Sequence, residues 1–475
     1  MLPCARRSLS TAAAAAFGQP HWQTHPHIVP RVGELTPGLL RGEFAARRAA
    51  LGNALPANAM ALVAGYSERT MSNDIPYEFR HGTSLLYFTG FLEPDSLLIV
   101  ESDAERRIRA TLVVPPRDPS HELWDGPRTG AERAAEFTGV DAAVALPDAA
   151  AVVRDAAVRA KSIVIDSPEP VSWHINQIFN DAFRGHDELR RKVSTSTLPT
   201  LTQMMRVRKS PAEIAVLQRS ADIAAAAFAD VLSTARAGEL ESAVAASLDY
   251  HCRRRGASRL AFPPVVAGGR NALTLHYVAN TALLRDGDLV LLDGGCEFGG
   301  YVSDISRTFP VAARFTPGQR EVYERVLDVN ERCIALCDLS DHGQQPLTIA
   351  SLQAQAARWL TEHLLDMGVL RRPTHARSFE RFYPHNIGHW LGMDTHDTPL
   401  VPNTTPLAES MCITIEPGLY LGDEPDIPPQ YRNIGIRIED DIVLRNGPAT
   451  VLTNKLVKSV EGIEALRAKA MNGVM

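Results

Sequence analysis

The sequence predicts two domains, an N-terminal α/β unit followed by a larger α+β unit that carries the chemistry. Three observations predict this. The chain has 475 residues, about three times a typical single-domain length, so two separate cores are expected. Short apolar runs alternate with Ala-rich helical stretches up to about residue 200, as in a sheet crossed by helices. Beyond that point, long helices with well-marked starts come first and strand-like segments follow.

Composition narrows the function classes. Hydrophobic residues at 45% and charged residues at 22% match an ordinary globular chain, and 32 Gly with 32 Pro mark turns rather than low complexity. The formal net charge of −6 supplies no basic field for nucleic acid. No apolar run reaches the length of a membrane span. The cysteines Cys4, Cys252, Cys296, Cys333, Cys337 and Cys412 show no C-x-x-C pair. Cys333 and Cys337, one helical turn apart, read as small apolar side chains on a buried helix face.

In chain order, residues 1–33 come first. Arg6, Arg7 and Arg31 are present, no acid precedes Glu34, and Ser8, Ser10, Thr11 and the run Ala12–Ala16 supply small residues. That composition resembles a mitochondrial transit peptide. Over 34–200, a helix near Arg41 to Leu51 precedes apolar runs at Met60 to Val63, Ser96 to Val100, Ala110 to Val114 and Ser162 to Ile165. The helical segment Ala149 to Lys161 lies between the last two. The polar, Thr-rich stretch from Ser194 to Leu201 sets the boundary near residue 200. Over 201–475, Ser210-Pro211-Ala212-Glu213 predicts a helix start with a hydroxyl cap, proline at the first helical position and a glutamate that returns the hydrogen bond. Thr316-Pro317-Gly318-Gln319 repeats the device. Strands are expected at Leu289 to Leu292, Tyr301 to Thr308, Met411 to Ile415 and Ile434 to Ile438.

Chemistry-bearing residues concentrate on these strands and on one loop. Asp293 ends one strand and Asp304 lies on the next; Gly294, Gly295, Gly299 and Gly300 between them allow an antiparallel hairpin that brings the carboxylates together. Glu416, at the end of Met411 to Ile415, projects opposite the row Met411, Ile413, Ile415. Arg437 and Glu439 project opposite Ile434, Ile436 and Ile438. With both faces of such strands covered, an unpaired carboxylate is costly unless a cation compensates it. His385, His389 and His396 crowd into twelve residues, where Gly388 and Gly392 disfavour a helix and leave a loop able to aim imidazoles inward. Each residue alone has an ordinary structural reading; the set favours a site.

The ordered series Asp293, Asp304, His389, Glu416, Glu439 resembles the two-domain metallopeptidases of the pita-bread fold, which include aminopeptidase P, prolidase, methionine aminopeptidase and creatinase. Within them the stretches from His385 to Gly392 and from Thr414 to Tyr420 look most like aminopeptidase P. Thr24-His25-Pro26-His27, Tyr87 to Phe91 and Glu93-Pro94-Asp95 resemble its mitochondrial, intermediate-cleaving branch, while Arg80 to Ser84 departs from the more polar pattern of that branch.

The resemblance implies a C-terminal pita-bread metallopeptidase domain with two divalent ions, Mn²⁺ before Co²⁺ or Zn²⁺. Oxygen-rich ligation with one imidazole suits Mn²⁺, and two dications balance four carboxylates that would otherwise repel by several kcal/mol. It implies metal ligands Asp293, Asp304, His389, Glu416 and Glu439, with Glu416 also a proton shuttle. His276 and His396 become donors to substrate carbonyls, His385 contacts the residue after the cut, and Arg437 orients carboxylates. The implied substrate is a peptide or protein N-terminus, the implied assembly a homodimer or homotetramer, and the implied location the mitochondrial matrix. The implied reaction releases one N-terminal residue. A prolidase-type dipeptidase and a catalytically silent binding protein on the same fold are the alternatives. The extra N-terminal domain disfavours methionine aminopeptidase, and the full ligand set disfavours creatinase-like chemistry.

Overall fold

The computed structural model describes residues 17–166, 172–340, 346–372 and 378–471. The chain divides into two compact units, Met1–Met205 and Arg206–Met475. Residues 1–16 of the expected leader lie outside the described residues. From Phe17 onward the chain is folded. The Phe17 ring packs 5.2 Å from that of Phe137, and the buried Gln19 amide donates to the Gly90 carbonyl (3.0 Å) and accepts from Leu92 N (2.7 Å). These contacts hold Phe17 and Gln19 in the first unit, inside the segment 1–33 expected to be a leader.

The first unit is built on a six-stranded mixed sheet. Ala59–Ala64 is buried along its whole length, as a continuous apolar run predicts for a central strand. It pairs antiparallel with Leu97–Ser102 and parallel with Ser162–Asp166. Ile108–Val114 and Ala142–Ala145 extend the sheet on one side, Val193–Ser194 on the other. Ala149–Arg159 and Trp173–Phe183 cover one face with Val153, Ala156, Ile175 and Ile178. The Thr-rich stretch used to set the boundary near residue 200 runs into a helix, Thr197–Arg206. Leu198 and Thr202, four residues apart, are both fully buried, so one face of this polar run has helical spacing.

In the second unit both expected caps form. Ser210 Oγ accepts from Glu213 N while the Glu213 carboxylate accepts from Ser210 N, opening Pro211–Thr234. Thr316 and Gln319 do the same for Pro317–Ala335. Cys333 and Cys337 are completely buried in the apolar core, as expected. Leu289–Gly294 pairs antiparallel with Val265–Gly268 and Ile305–Pro310. The expected strand Tyr301 to Thr308 is interrupted at Ser303 and Asp304. Tyr301–Val302 turns back on Cys296–Phe298, and Ile305–Pro310 rejoins Leu289–Gly294 with Ser306 opposite Asp293. The break has a cause: Asp304 N bonds the Asp441 carboxylate instead of a neighbouring strand. Cys412–Ile415 pairs with Asp440–Arg445, and Gly418–Leu421 with Ile434–Arg437. Among the described residues no helix is long and apolar enough to cross a membrane.

Candidate metal centre

The Gly-rich loop is not a helix and runs against the strand that carries Glu416. Glu416 N donates to Ile387 O (2.8 Å), Thr414 N to His389 O (3.0 Å) and Leu391 N to Cys412 O (3.1 Å). Gly388 is required there, because a Cβ would collide with the Thr414 carbonyl oxygen. This contact aims His389 at the carboxylates. His389 Nε2 lies 3.4 Å from Asp304 Oδ2, 3.7 Å from Glu416 Oε1 and 4.0 Å from Glu439 Oε1. One ligand atom each from Asp304, His389 and Glu439 lies within 4.8 Å of the others, the spacing of a metal-holding group. The other ring nitrogen, Nδ1, donates to the Trp390 carbonyl (3.0 Å), which keeps Nε2 directed at the acids.

Asp293 joins the group through Arg437, whose Nη2 donates to Asp293 Oδ2 at 2.6 Å. The buried guanidinium has three recipients: Asp293, Tyr420 Oη (2.8 Å) and Ser306 Oγ (2.9 Å), and the Ser306 hydroxyl in turn donates to Glu439 Oε2 (2.8 Å). Among the described residues, three carboxylate oxygens of this centre remain buried without a hydrogen-bond partner, Asp293 Oδ1, Asp304 Oδ1 and Glu439 Oε1. Orphaned anionic oxygens in a dry site are expensive, and hard divalent cations are the partners that suit them. The donor set therefore fits divalent metal.

Protons compensate this charge when no cation does. Burial first, then the neighbouring Asp293 charge, raises the Asp304 carboxyl to about 6 against the pull of His389. Glu416 is raised to about 7, again chiefly by burial and then by Asp304 and Asp293, with His389 and Arg437 opposing. Glu439 is pushed well above its ordinary range by burial and the same acids. Burial works against the charged His389 ring, but its bond to Asp304 and the Glu416 charge prevail and raise it to about 9.

The remaining histidines differ. His396 and His276 are exposed; the His396 ring lies 4.5 Å from that of His389, and His276 is close enough for its charge to bear on both His396 and His385. His385 is held on both nitrogens, Nδ1 to the Asn386 carbonyl (2.8 Å) and Nε2 to Tyr420 Oη (2.9 Å), and burial with the Arg437 charge lowers its pKa to about 3. The ring is thus neutral, with no nitrogen free. Three participants escaped the sequence reading. Ser306 and Asp441 lie two residues beyond Asp304 and Glu439, a strand-period signal that would have found them. Tyr420 closes the motif that contains Glu416. The loop bearing His276 is closed by Glu241, whose buried carboxylate accepts from Gly268 N, Asn271 Nδ2, Tyr277 Oη and Ala282 N at 2.8–2.9 Å.

A converging carboxylate–imidazole centre in a chain that starts with an α/β unit defines a class, and comparison with known proteins bears it out. Residues 215–446 match metallopeptidase family M24, and residues 44–165 match the aminopeptidase P N-terminal domain. The chain belongs to the M24 metallopeptidases. Among its relatives, human Xaa-Pro aminopeptidase 3 is 38% identical over 96% of this chain and 91% of that protein. Intermediate cleaving peptidase 55, mitochondrial, of Arabidopsis thaliana is 34% identical over 97% and 90%. The solved structure of Zn-substituted Escherichia coli aminopeptidase P in complex with product superposes with a TM-score of 0.82 at 33% identity, covering 91% of this chain and 99% of that one. The fold expectation, α/β domain then pita-bread domain, holds.

Proposed function

We propose that this chain is a metal-dependent aminopeptidase that removes one residue from the N-terminus of Xaa-Pro peptides, of processed mitochondrial precursors, or of both. The observation that carries it is the trio of buried carboxylate oxygens on Asp293, Asp304 and Glu439 that find no hydrogen-bond partner among the described residues, with Asp304 and Glu439 both within 4.0 Å of His389 Nε2. We assign Asp293, Asp304, His389, Glu416 and Glu439 to a pair of Mn²⁺ ions. Bound divalent ions polarise a peptide carbonyl and make water nucleophilic near neutral pH. Glu416, partly open to solvent and raised towards neutrality in the ion-free chain, takes a proton from the attacking water and returns it to the departing amine. His276 and His396, exposed beside the centre, donate to substrate carbonyl oxygens. Arg437 keeps Asp293 and Glu439 in place, the second through Ser306. His385, with both nitrogens engaged, serves by fixing Tyr420 and by offering its ring edge to the residue after the cut.

The relative in Arabidopsis thaliana that bears a mitochondrial name and the basic, acid-free start of the chain support a mitochondrial location. We place the end of the leader before Phe17, since the residues that follow are folded. Assembly into dimers or tetramers is part of the same reading and is checked by sedimentation.

The test is hydrolysis of a Xaa-Pro peptide longer than two residues, with and without Mn²⁺. About two equivalents of metal and rapid release of the first residue are expected. Asp304→Asn should lower turnover by about 100-fold or more, the scale of losing one electrostatic stabiliser. Cleavage of dipeptides alone would replace this reading with a prolidase; full turnover after exhaustive chelation would end the metal mechanism.

A further inference from the structure

Glu416 and Glu439 reach the centre from two different strands, so some group has to fix the distance between those strands where their ladders end. Cys412–Ile415 stops at the residue before Glu416, and Ile434–Arg437 stops two residues before Glu439. The structure offers one side chain that touches both ends. Asn330, fully buried on Pro317–Ala335, donates through Nδ2 to the Ile415 carbonyl (3.0 Å) and to the Ile438 carbonyl (3.2 Å). These carbonyls belong to the peptide groups that lead directly into Glu416 and Glu439. The N–H at the other end of each peptide is held too, Glu416 N by Ile387 O (2.8 Å) and Glu439 N by Ser306 O (3.0 Å). A planar peptide gripped at both ends has no freedom to rotate, so the direction in which each glutamate leaves the backbone is set.

The orientation of the Asn330 amide is itself determined. Its Oδ1 accepts from Lys458 Nζ at 2.7 Å, and an ammonium can only donate, so Nδ2 must be the atom facing the carbonyls. Lys458 also bonds Asp440 Oδ2 (2.8 Å), and Arg307 bonds both Asp440 Oδ1 (2.7 Å) and the Glu439 carbonyl (2.6 Å). The tether therefore runs from the helix to both glutamates and on into a buried ion pair next to Glu439.

We propose that Asn330 is a positioning residue that holds Glu416 and Glu439 at the separation a divalent metal pair requires, with Lys458 setting its amide. This rests on the assignment of those glutamates as metal ligands. Groups standing behind ligands typically alter metal affinity 10- to 100-fold when removed. The experiment uses the full chain, stripped of metal and titrated with Mn²⁺ by calorimetry, while the unfolding temperature of the metal-free protein is measured alongside. Asn330→Ala is expected to weaken Mn²⁺ binding about tenfold or more. Lys458→Met, whose side chain is partly exposed, is expected to weaken it in the same direction by less. Unchanged Mn²⁺ affinity in Asn330→Ala, even with a lowered unfolding temperature, would mean a merely structural amide and overturn the proposal. If Asn330→Ala does not fold, Lys458→Met decides, and unaltered affinity there overturns it. Full Mn²⁺ binding by Glu439→Gln would instead remove the ligand assignment, and the proposal with it.

Discussion

Arg437 shows how much one side chain can settle. Its three donors serve Asp293, Tyr420 and Ser306 at once, a division of labour that needs a planar fork. Arg437→Lys keeps the charge but reaches at most part of that set. It is expected to retain bound metal while kcat falls roughly ten- to hundredfold, a split read by metal analysis beside steady-state kinetics. The acids carry a pH dependence. Asp304 and Glu416, raised to about 6 and about 7, contribute stability below the ordinary carboxyl range, near 4, and lose it as pH climbs through those values. His389, raised to about 9, acts in the same direction over a higher window. Metal-stripped protein should therefore lose thermal stability as pH rises from about 4 to 9. Added Mn²⁺ should restore more of it at pH 8 than at pH 5, as calorimetry of both forms would show.

Among the elements, the loop of residues 387–391 and the strand Cys412–Ile415 act as one piece. Their backbone bonds bring His389 and Glu416 together, and Gly388 makes the approach possible. Gly388→Ala would push the loop away from Thr414. It is expected to cost about 2–4 kcal/mol in denaturant unfolding and to lower Mn²⁺ affinity, because the His389 lone pair moves with the loop. Glu241 makes a comparable closure on the loop that holds His276, with four donors converging on one carboxylate. The sequence signalled the glycines of the first loop directly. It gave no hint of Glu241, whose donors come from as far as forty-one residues away.

For the molecule as a whole, the first described residues are anchored in the first unit. Phe17 and Gln19 are buried in the first unit, with the Gln19 amide bonded to Gly90 and Leu92 and Gly18 N bonded to Thr129 Oγ1 (3.0 Å). A chain starting at Phe17 should unfold at a higher temperature than one starting at Glu34. The difference is expected to be several degrees, at about 2–4 °C per kcal/mol lost, and a thermal melt of the two proteins decides it. The expected leader over 1–33 rests on composition, a property of the segment itself, whereas the burial of Gln19 depends on partners some seventy residues further on.

Local chemistry is what the sequence determined by itself: the capped starts at Ser210 and Thr316, the apolar runs that became sheet strands, the buried cysteine pair, and the three residue types, Asp, His and Glu, of the proposed centre. Each is readable because its cause lies within a few neighbouring positions. Only the tertiary structure decided which carboxylate oxygens have partners, why the chain breaks pairing at Asp304, that His385 has no free nitrogen, and that Asn330 joins the strands leading into two glutamates. Those facts arise where segments distant in sequence meet, and in a close-packed interior the identity of a partner is fixed by geometry that no local pattern encodes.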